Sequence, residues 1–236
     1  MRKIAATYFF PGNKPPIKNG ILTGQSDETI VDISENEKFA EQPGLEYYSG
    51  ILAPGFVNTH CHLELSHLKG KIEEQTGIGG FVARINQLRN QETENQEKAI
   101  QVADRRMWAA GTAAVGDISN SNLSIDSKKS SKIFYHTFIE SFGFHPTRAE
   151  RAFDYAQFVQ FQFKAAGLSN SIVPHSPYSV SKPLFMKIKE NALIENSILT
   201  IHNQESAGEQ EFFTNGTGAI ANHLTNNLGI DISHWE

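Results

Sequence analysis

The chain has 236 residues, a net charge of −5 at pH 7, a single cysteine (Cys61) and 39% hydrophobic residues. This composition suits a globular protein and excludes a disulfide scaffold, a Cys-based zinc cluster and the clustered basic charge of a nucleic-acid binder. Charged residues interrupt every apolar stretch well short of a membrane span. The apolar run Ile4–Phe10 stops at Pro11-Gly12-Asn13, too short for a leader, so a reducing cytoplasm is the expected compartment.

In chain order, short strands are predicted at Ile4–Phe10, Gly20–Thr23, Thr29–Ile33 and Glu46–Leu52, separated by turn clusters such as Lys18-Asn19-Gly20. From Ala53 the pattern changes. Phe56–Thr59 reads as a strand, Ile78–Arg89 and Glu94–Ala110 as helices, and Thr112–Ile118 as a second strand. The polar segment Ser119–Ser131 precedes a strand over Ile133–Ser141. A helix over Thr147–Ala166 follows, its apolar face marked by Ala149, Ala152, Phe153, Ala156 and Phe163. Then come a strand at Ser171–His175, a helix at Lys182–Asn191, a strand at Ile198–His202 and a mixed, mainly helical tail over Gly208–Glu236. Alternating strands and helices argue for parallel βαβ units, with inner strands expected near residues 57, 115, 136, 173 and 200.

Four of nine histidines fall at the ends of those strands. In Asn58-Thr59-His60-Cys61-His62-Leu63-Glu64, residues two apart along a strand point to one side, so the imidazoles of His60 and His62 converge. Neutral imidazoles at that spacing are good ligands for a divalent first-row metal. His175 (Val173-Pro174-His175-Ser176) and His202 (Ile201-His202-Asn203) close two later strands, where α/β barrels carry their chemistry. Glu205, three residues after His202, can carry a proton over the same pocket or cap a helix N-terminus, and the two roles are compatible. Glu64 reads either as a ligand for a polar substrate group or as a partner holding His62. Ser66 is a candidate of the first kind, Glu140 a weaker one, and Asp117 is expected to serve packing.

The ordered set Pro54-Gly55-Phe56-Val57-Asn58-Thr59-His60-Cys61-His62, Pro174-His175-Ser176-Pro177-Tyr178 and Ile201-His202-Asn203-Gln204-Glu205-Ser206 resembles the amidohydrolase superfamily, closest to its branch of aminohydrolases (deaminases) and chlorohydrolases. Ala110–Asp117 is similar to that branch's second-strand segment, and the likeness runs from about Leu52 to Glu209. It implies an α/β fold: a (β/α)8 TIM-type barrel of which about five strands are present, preceded by a small β-sandwich segment. Residues 1–52 would form the sandwich part and 53–236 the first part of the barrel. It implies His60, His62 and His202 as ligands of one divalent ion, zinc with iron as the alternative, Glu205 as proton shuttle and His175 as a substrate-facing residue.

The implied activity is hydrolytic deamination of an aminated heterocycle or nucleoside-like small molecule by water activated on the metal. More narrowly, His-x-His-x-Glu-x-Ser resembles enzymes that deaminate aminofutalosine in menaquinone synthesis. Hydrolysis of a cyclic amide or a C–Cl bond, or an inactive fragment of the family, are the alternatives. The partners implied are a small-molecule substrate and, by family habit, another copy of the chain, with no nucleic acid and no membrane. The branch's later histidine and aspartate have no counterpart in strand context: His223, His234 and Asp231 follow no apolar run and read as surface residues. The expectation is therefore a chain cut short after the fifth barrel strand.

Overall fold

The computed structural model describes residues 1–27, 29–35, 43–88 and 96–232. The chain divides into two compact units, Met1–Phe56 and Val57–Glu236. In the first, β1 (Arg2–Phe9), β2 (Ile17–Lys18), β3 (Gly20–Gly24), β4 (Ile30–Glu35) and β5 (Leu45–Leu52) form one sheet. β1 runs antiparallel to β2 and β3 and parallel to β5. All four predicted strands are present, with β2 as an addition. Asn19, at φ 56°, makes the left-handed turn between β2 and β3. Gly20 follows because any Cβ there would lie 2.9 Å from that of Phe9.

The second unit carries β6 (Phe56–Cys61), β7 (Thr112–Ser119), β8 (Phe134–Ser141) and β9 (Ser169–Pro174) in the spatial order of their sequence. β7, β8 and β9 are parallel, in the register Ser119↔Ile139 and Ile139↔Ile172. The helices are α1 (Gly77–Leu88), α2 (Gln96–Ala109), α3 (Ile125–Ser130), α4 (Ala149–Ala165), α5 (Lys182–Glu195), α6 (Ala207–Asn215) and α7 (Gly218–Asn222).

Both faces of this sheet are apolar, as parallel sheets require. On one face Ile139 and Ile172 pack with Phe163 of α4 and with Leu184 and Ile188 of α5. One residue along each strand, Phe138 and Val173 point the other way and meet Ile118. On the same face as Ile139, Ile100 of α2 joins Leu63, Val115 and Tyr135. Helix ends follow their sequence signals. Pro183 opens α5, Ser206 caps α6 by accepting the Glu209 N–H at 3.2 Å, and Gly216 ends α6 at φ 66°.

Two expectations are corrected. Ile198–His202 is not a strand, so the parallel sheet has four strands among the described residues and not five. The segment is held instead by the Ser171 hydroxyl, which donates to the Ile198 carbonyl at 2.7 Å, and by the His202 N–H, which donates to the His175 carbonyl at 2.8 Å. One backbone bond and one side-chain bond do not make a ladder. The second correction lies in Ser119–Ser131, read as merely polar, which contains α3 and buries Lys128 completely against Asp117. The first two residues of the helix predicted over Glu94–Ala110 lie outside the described residues.

Candidate active site

The carboxyl ends of β6, β7, β8 and β9 deliver the polar groups. His60 is near the end of β6 and His62 just beyond it, and their ring centroids lie 5.1 Å apart. The bond from the His202 N–H to the His175 carbonyl brings the His202 ring 4.8 Å from His60 and 5.2 Å from His62. His62 Nε2 and His202 Nε2 are 3.1 Å apart. Two imidazoles on a tetrahedral zinc, at Zn–N of about 2.0–2.1 Å, place their nitrogens about 3.3 Å apart. The close pair and the convergence of all three ligand nitrogens therefore fit one divalent cation.

The electrostatics agree with that fit. Burial, partly offset by Glu140, lowers the His62 pKa to about 4, so its ring is a neutral lone-pair donor at pH 7. Cys61, between the two histidines, points to the opposite side and packs beside Leu63 and Tyr135. Burial pushes its thiol up to about 12, in keeping with a side chain packed away from the histidines.

Around the triad lies a layer of carboxylates and amides. Glu140, at the end of β8, is buried; its Oε1 sits 3.2 Å from His202 Nδ1 and 3.9 Å from His175 Nε2. Its Oε2 accepts from the Asn120 side-chain amide at 3.0 Å. Burial alone would raise the Glu140 carboxyl, but the approach of His202, the charge of His175 and the Asn120 amide hold it at about 2. The Asn120 N–H donates to Glu64 Oε1 at 3.1 Å. Glu64 Oε2 accepts from the Ser121 N–H at 3.2 Å and from its hydroxyl at 2.8 Å. Glu64 thus lies buried beneath the loop after β7, engaged by that loop. The Ser66 hydroxyl donates to the Leu63 carbonyl at 2.7 Å, inside its own 3-10 turn, and Ser66 does not line the cavity of the histidines.

His175 and Glu205 line the same cavity as His62 and His202. The Glu205 N–H donates to Glu209 Oε2 at 2.8 Å, and Gln204 before it sits at φ 58°, a left-handed conformation that turns Glu205 toward the pocket. Asp117 serves packing: it is fully buried, ion-paired to Lys128 Nζ at 2.6 Å, and accepts the Leu63 N–H at 2.7 Å directly after His62. His223, read from sequence as a surface residue, is half-buried on the cavity wall. His234 lies outside the described residues and Asp231 is exposed.

The cavity measures about 660 Å³, the size of a small-molecule site. Its floor is polar, with Asn120, Glu140 and the histidines. Its walls are apolar, built by Leu65, Leu68 and Ile72 and by Ile78, Phe81 and Val82 of α1. Asn120, Glu140 and Glu209 carried little signal in the sequence, because none belongs to a spaced pair and each is placed by strand register or by a helix start.

No family model matches the chain. Curated relatives do. An adenosine deaminase from Helicobacter pylori is 28% identical over 202 residues, covering 83% of this chain and 49% of that protein. A 5-methylthioadenosine/S-adenosylhomocysteine deaminase from Bacillus cereus is 24% identical over 206 residues, covering 82% of this chain and 47% of that protein. The chain spans about half the length of the curated relatives it matches. Among solved structures, Helicobacter pylori aminofutalosine deaminase in complex with methylthio-coformycin superposes with a TM-score of 0.80 at 24% identity. That match covers 97% of this chain and 57% of the other. The chain is therefore similar in sequence to deaminases of adenosine-type compounds and shares its fold with an aminofutalosine deaminase.

Proposed function

We propose that this chain carries the metal-binding half of a hydrolytic deaminase acting on an adenosine-like small molecule. The observation that carries the reading is the convergence of His60, His62 and His202, with two Nε2 atoms 3.1 Å apart. The four-stranded sheet then corresponds to the opening strands of a (β/α)8 barrel, and residues at its carboxyl edge are where such barrels hold their sites. His60, His62 and His202 would hold one zinc or iron ion. When bound, it would supply an acidified water as nucleophile.

The chain's own residues supply the rest. Glu205 delivers a proton to the ring nitrogen beside the reacting carbon, and its backbone is fixed by Glu209 for that purpose. His175 orients the heterocycle from the end of β9. The apolar wall from α1 receives the nucleoside's less polar part and excludes water. In balance, one C–N bond breaks and one C–O bond forms, so amine and water give carbonyl and ammonia.

Zinc titration of the metal-free chain by calorimetry, alongside ammonia release from adenosine and methylthioadenosine, tests the reading. One ion per chain is expected in the wild type. His62→Ala should lose the metal and any ammonia release together. A wild-type chain that takes up no divalent metal would overturn the proposal.

A further inference from the structure

We propose that Glu140 is the positioning residue of this site, fixing through one carboxylate oxygen which nitrogen carries the proton on both His202 and His175. The inference rests on the metal-site reading above and assigns the residue that sets its geometry.

Glu140 Oε1 is a buried carboxylate oxygen that accepts no well-directed hydrogen bond among the described residues. A charged oxygen left that way is costly, so it must face proton-bearing nitrogens or a cation. What it faces is His202 Nδ1 at 3.2 Å and His175 Nε2 at 3.9 Å. His202 Nδ1 also lies 3.1 Å from the His175 carbonyl. Two acceptors around Nδ1 require the proton there, which leaves the Nε2 lone pair aimed at His62. His175 is set the other way. Its Nδ1 lies 2.6 Å from the Ser179 hydroxyl and 3.0 Å from that of Ser176. Those hydroxyls can each donate or accept, and the nearby Glu140 carboxylate favours the arrangement in which Nδ1 accepts and Nε2 carries the proton. The same oxygen thereby holds the His202 proton on Nδ1 by direct approach, leaving that imidazole a lone-pair donor to metal, and its negative charge 3.9 Å away favours the His175 proton on Nε2.

The carboxylate is itself held. Asn120 Nδ2 donates to Glu140 Oε2 at 3.0 Å and to the Glu140 backbone carbonyl at 3.1 Å. The Asn120 backbone is in turn pinned by Glu64. The chain of bonds from Glu64 through Asn120 to Glu140 crosses the ends of β6, β7 and β8, so the tautomers are referenced to the sheet and not to a loose loop.

The test uses the whole chain, metal-free, with 15N-labelled histidine. Expected in the wild type are Nδ1–H for His202 and Nε2–H for His175 by long-range 15N–1H correlation. Glu140→Gln offers an amide N–H where an acceptor is needed, so it should mix both tautomers and weaken zinc binding about tenfold to a hundredfold. Glu140→Asp should recover part of that loss. Unchanged tautomers with unchanged zinc affinity in Glu140→Gln would overturn the proposal. Should that variant fail to fold, Asn120→Ala removes the amide that holds both Oε2 and the Glu140 backbone carbonyl and leaves the carboxylate itself in place. A smaller weakening of zinc with mixed tautomers supports the proposal, and wild-type behaviour overturns it. If the wild type binds no zinc, the metal-site reading fails, and the tautomers of the metal-free variants still decide the role of Glu140.

Discussion

Glu205 and Glu209 stand four residues apart and have opposite environments. Glu205 is exposed on the cavity rim, whereas Glu209 is buried and spends one oxygen on the Glu205 N–H. The first can exchange protons with a ligand; the second holds the backbone that aims it. Glu205→Gln is therefore expected to leave zinc bound while cutting turnover about 10²–10⁴-fold. Parallel calorimetry and ammonia assays of the wild type and the variant check this, and a full rate in the variant removes Glu205 from the mechanism. At this scale the four candidate site histidines were legible because chemistry and period coincide: His60 and His62 are two apart at a strand end, and His175 and His202 close apolar runs. Glu64 was legible only as a carboxylate near the site. That its oxygens would be taken by Asn120 and Ser121, 56 and 57 residues on, depends on the register of β6 against β7, which no local pattern encodes.

At the scale of elements, the pairing of β6 with β7 depends on Gly116. A Cβ there would stand 2.8 Å from the Thr59 carbonyl oxygen and 3.0 Å from the Phe138 ring. Thr59 directly precedes His60, so a methyl group would push outward the strand that carries this histidine. Gly116→Ala is expected to destabilise the fold by about 1–3 kcal/mol, read by urea unfolding, and to weaken zinc binding in the same chain. The sequence pattern located nearly every strand and helix because apolar periodicity and end signals are local. It failed at Ile198–His202, where an apolar run ending in histidine has strand composition but finds a serine hydroxyl in place of a ladder. It failed again at α3, where serines and lysines hide a short helix whose one buried cation is paid for by a partner eleven residues upstream.

For the whole molecule, the site ties stability to acidity. His62 falls from its ordinary value of 6.5 to about 4 on folding, and His175 is lowered in the same direction. The unfolded chain then binds more protons than the folded one between those values, so stability drops as pH falls from about 6.5 to about 4. Glu140, lowered from 4.5 to about 2, extends the loss across the next window downward. His202, raised by Glu140 against the effect of burial, works the other way, and its share is lost as pH rises through its folded value. With His62 and His175 lowered in the site and His136 lowered outside it, against His202 raised, and Glu140 below them, the metal-free chain should unfold at progressively lower urea concentrations below pH 6.5. A midpoint that rises on acidification would contradict these assignments. Saturating zinc should protect the fold at neutral pH and lose its effect as the ligands take up protons.

The ion pair at the centre of the second unit has a practical corollary. Lys128 and Asp117 have no side-chain surface open to solvent, and the ammonium is further enclosed by the Thr137 hydroxyl at 2.8 Å and the Phe163 ring at 4.9 Å. An amine-reactive acylating reagent will therefore modify the exposed lysines quickly and Lys128 only when the sheet and α3 come apart. Peptide mapping of the Lys128 adduct over time reads the opening of this core directly, without a probe being introduced, and distinguishes global unfolding from fraying at the histidine edge.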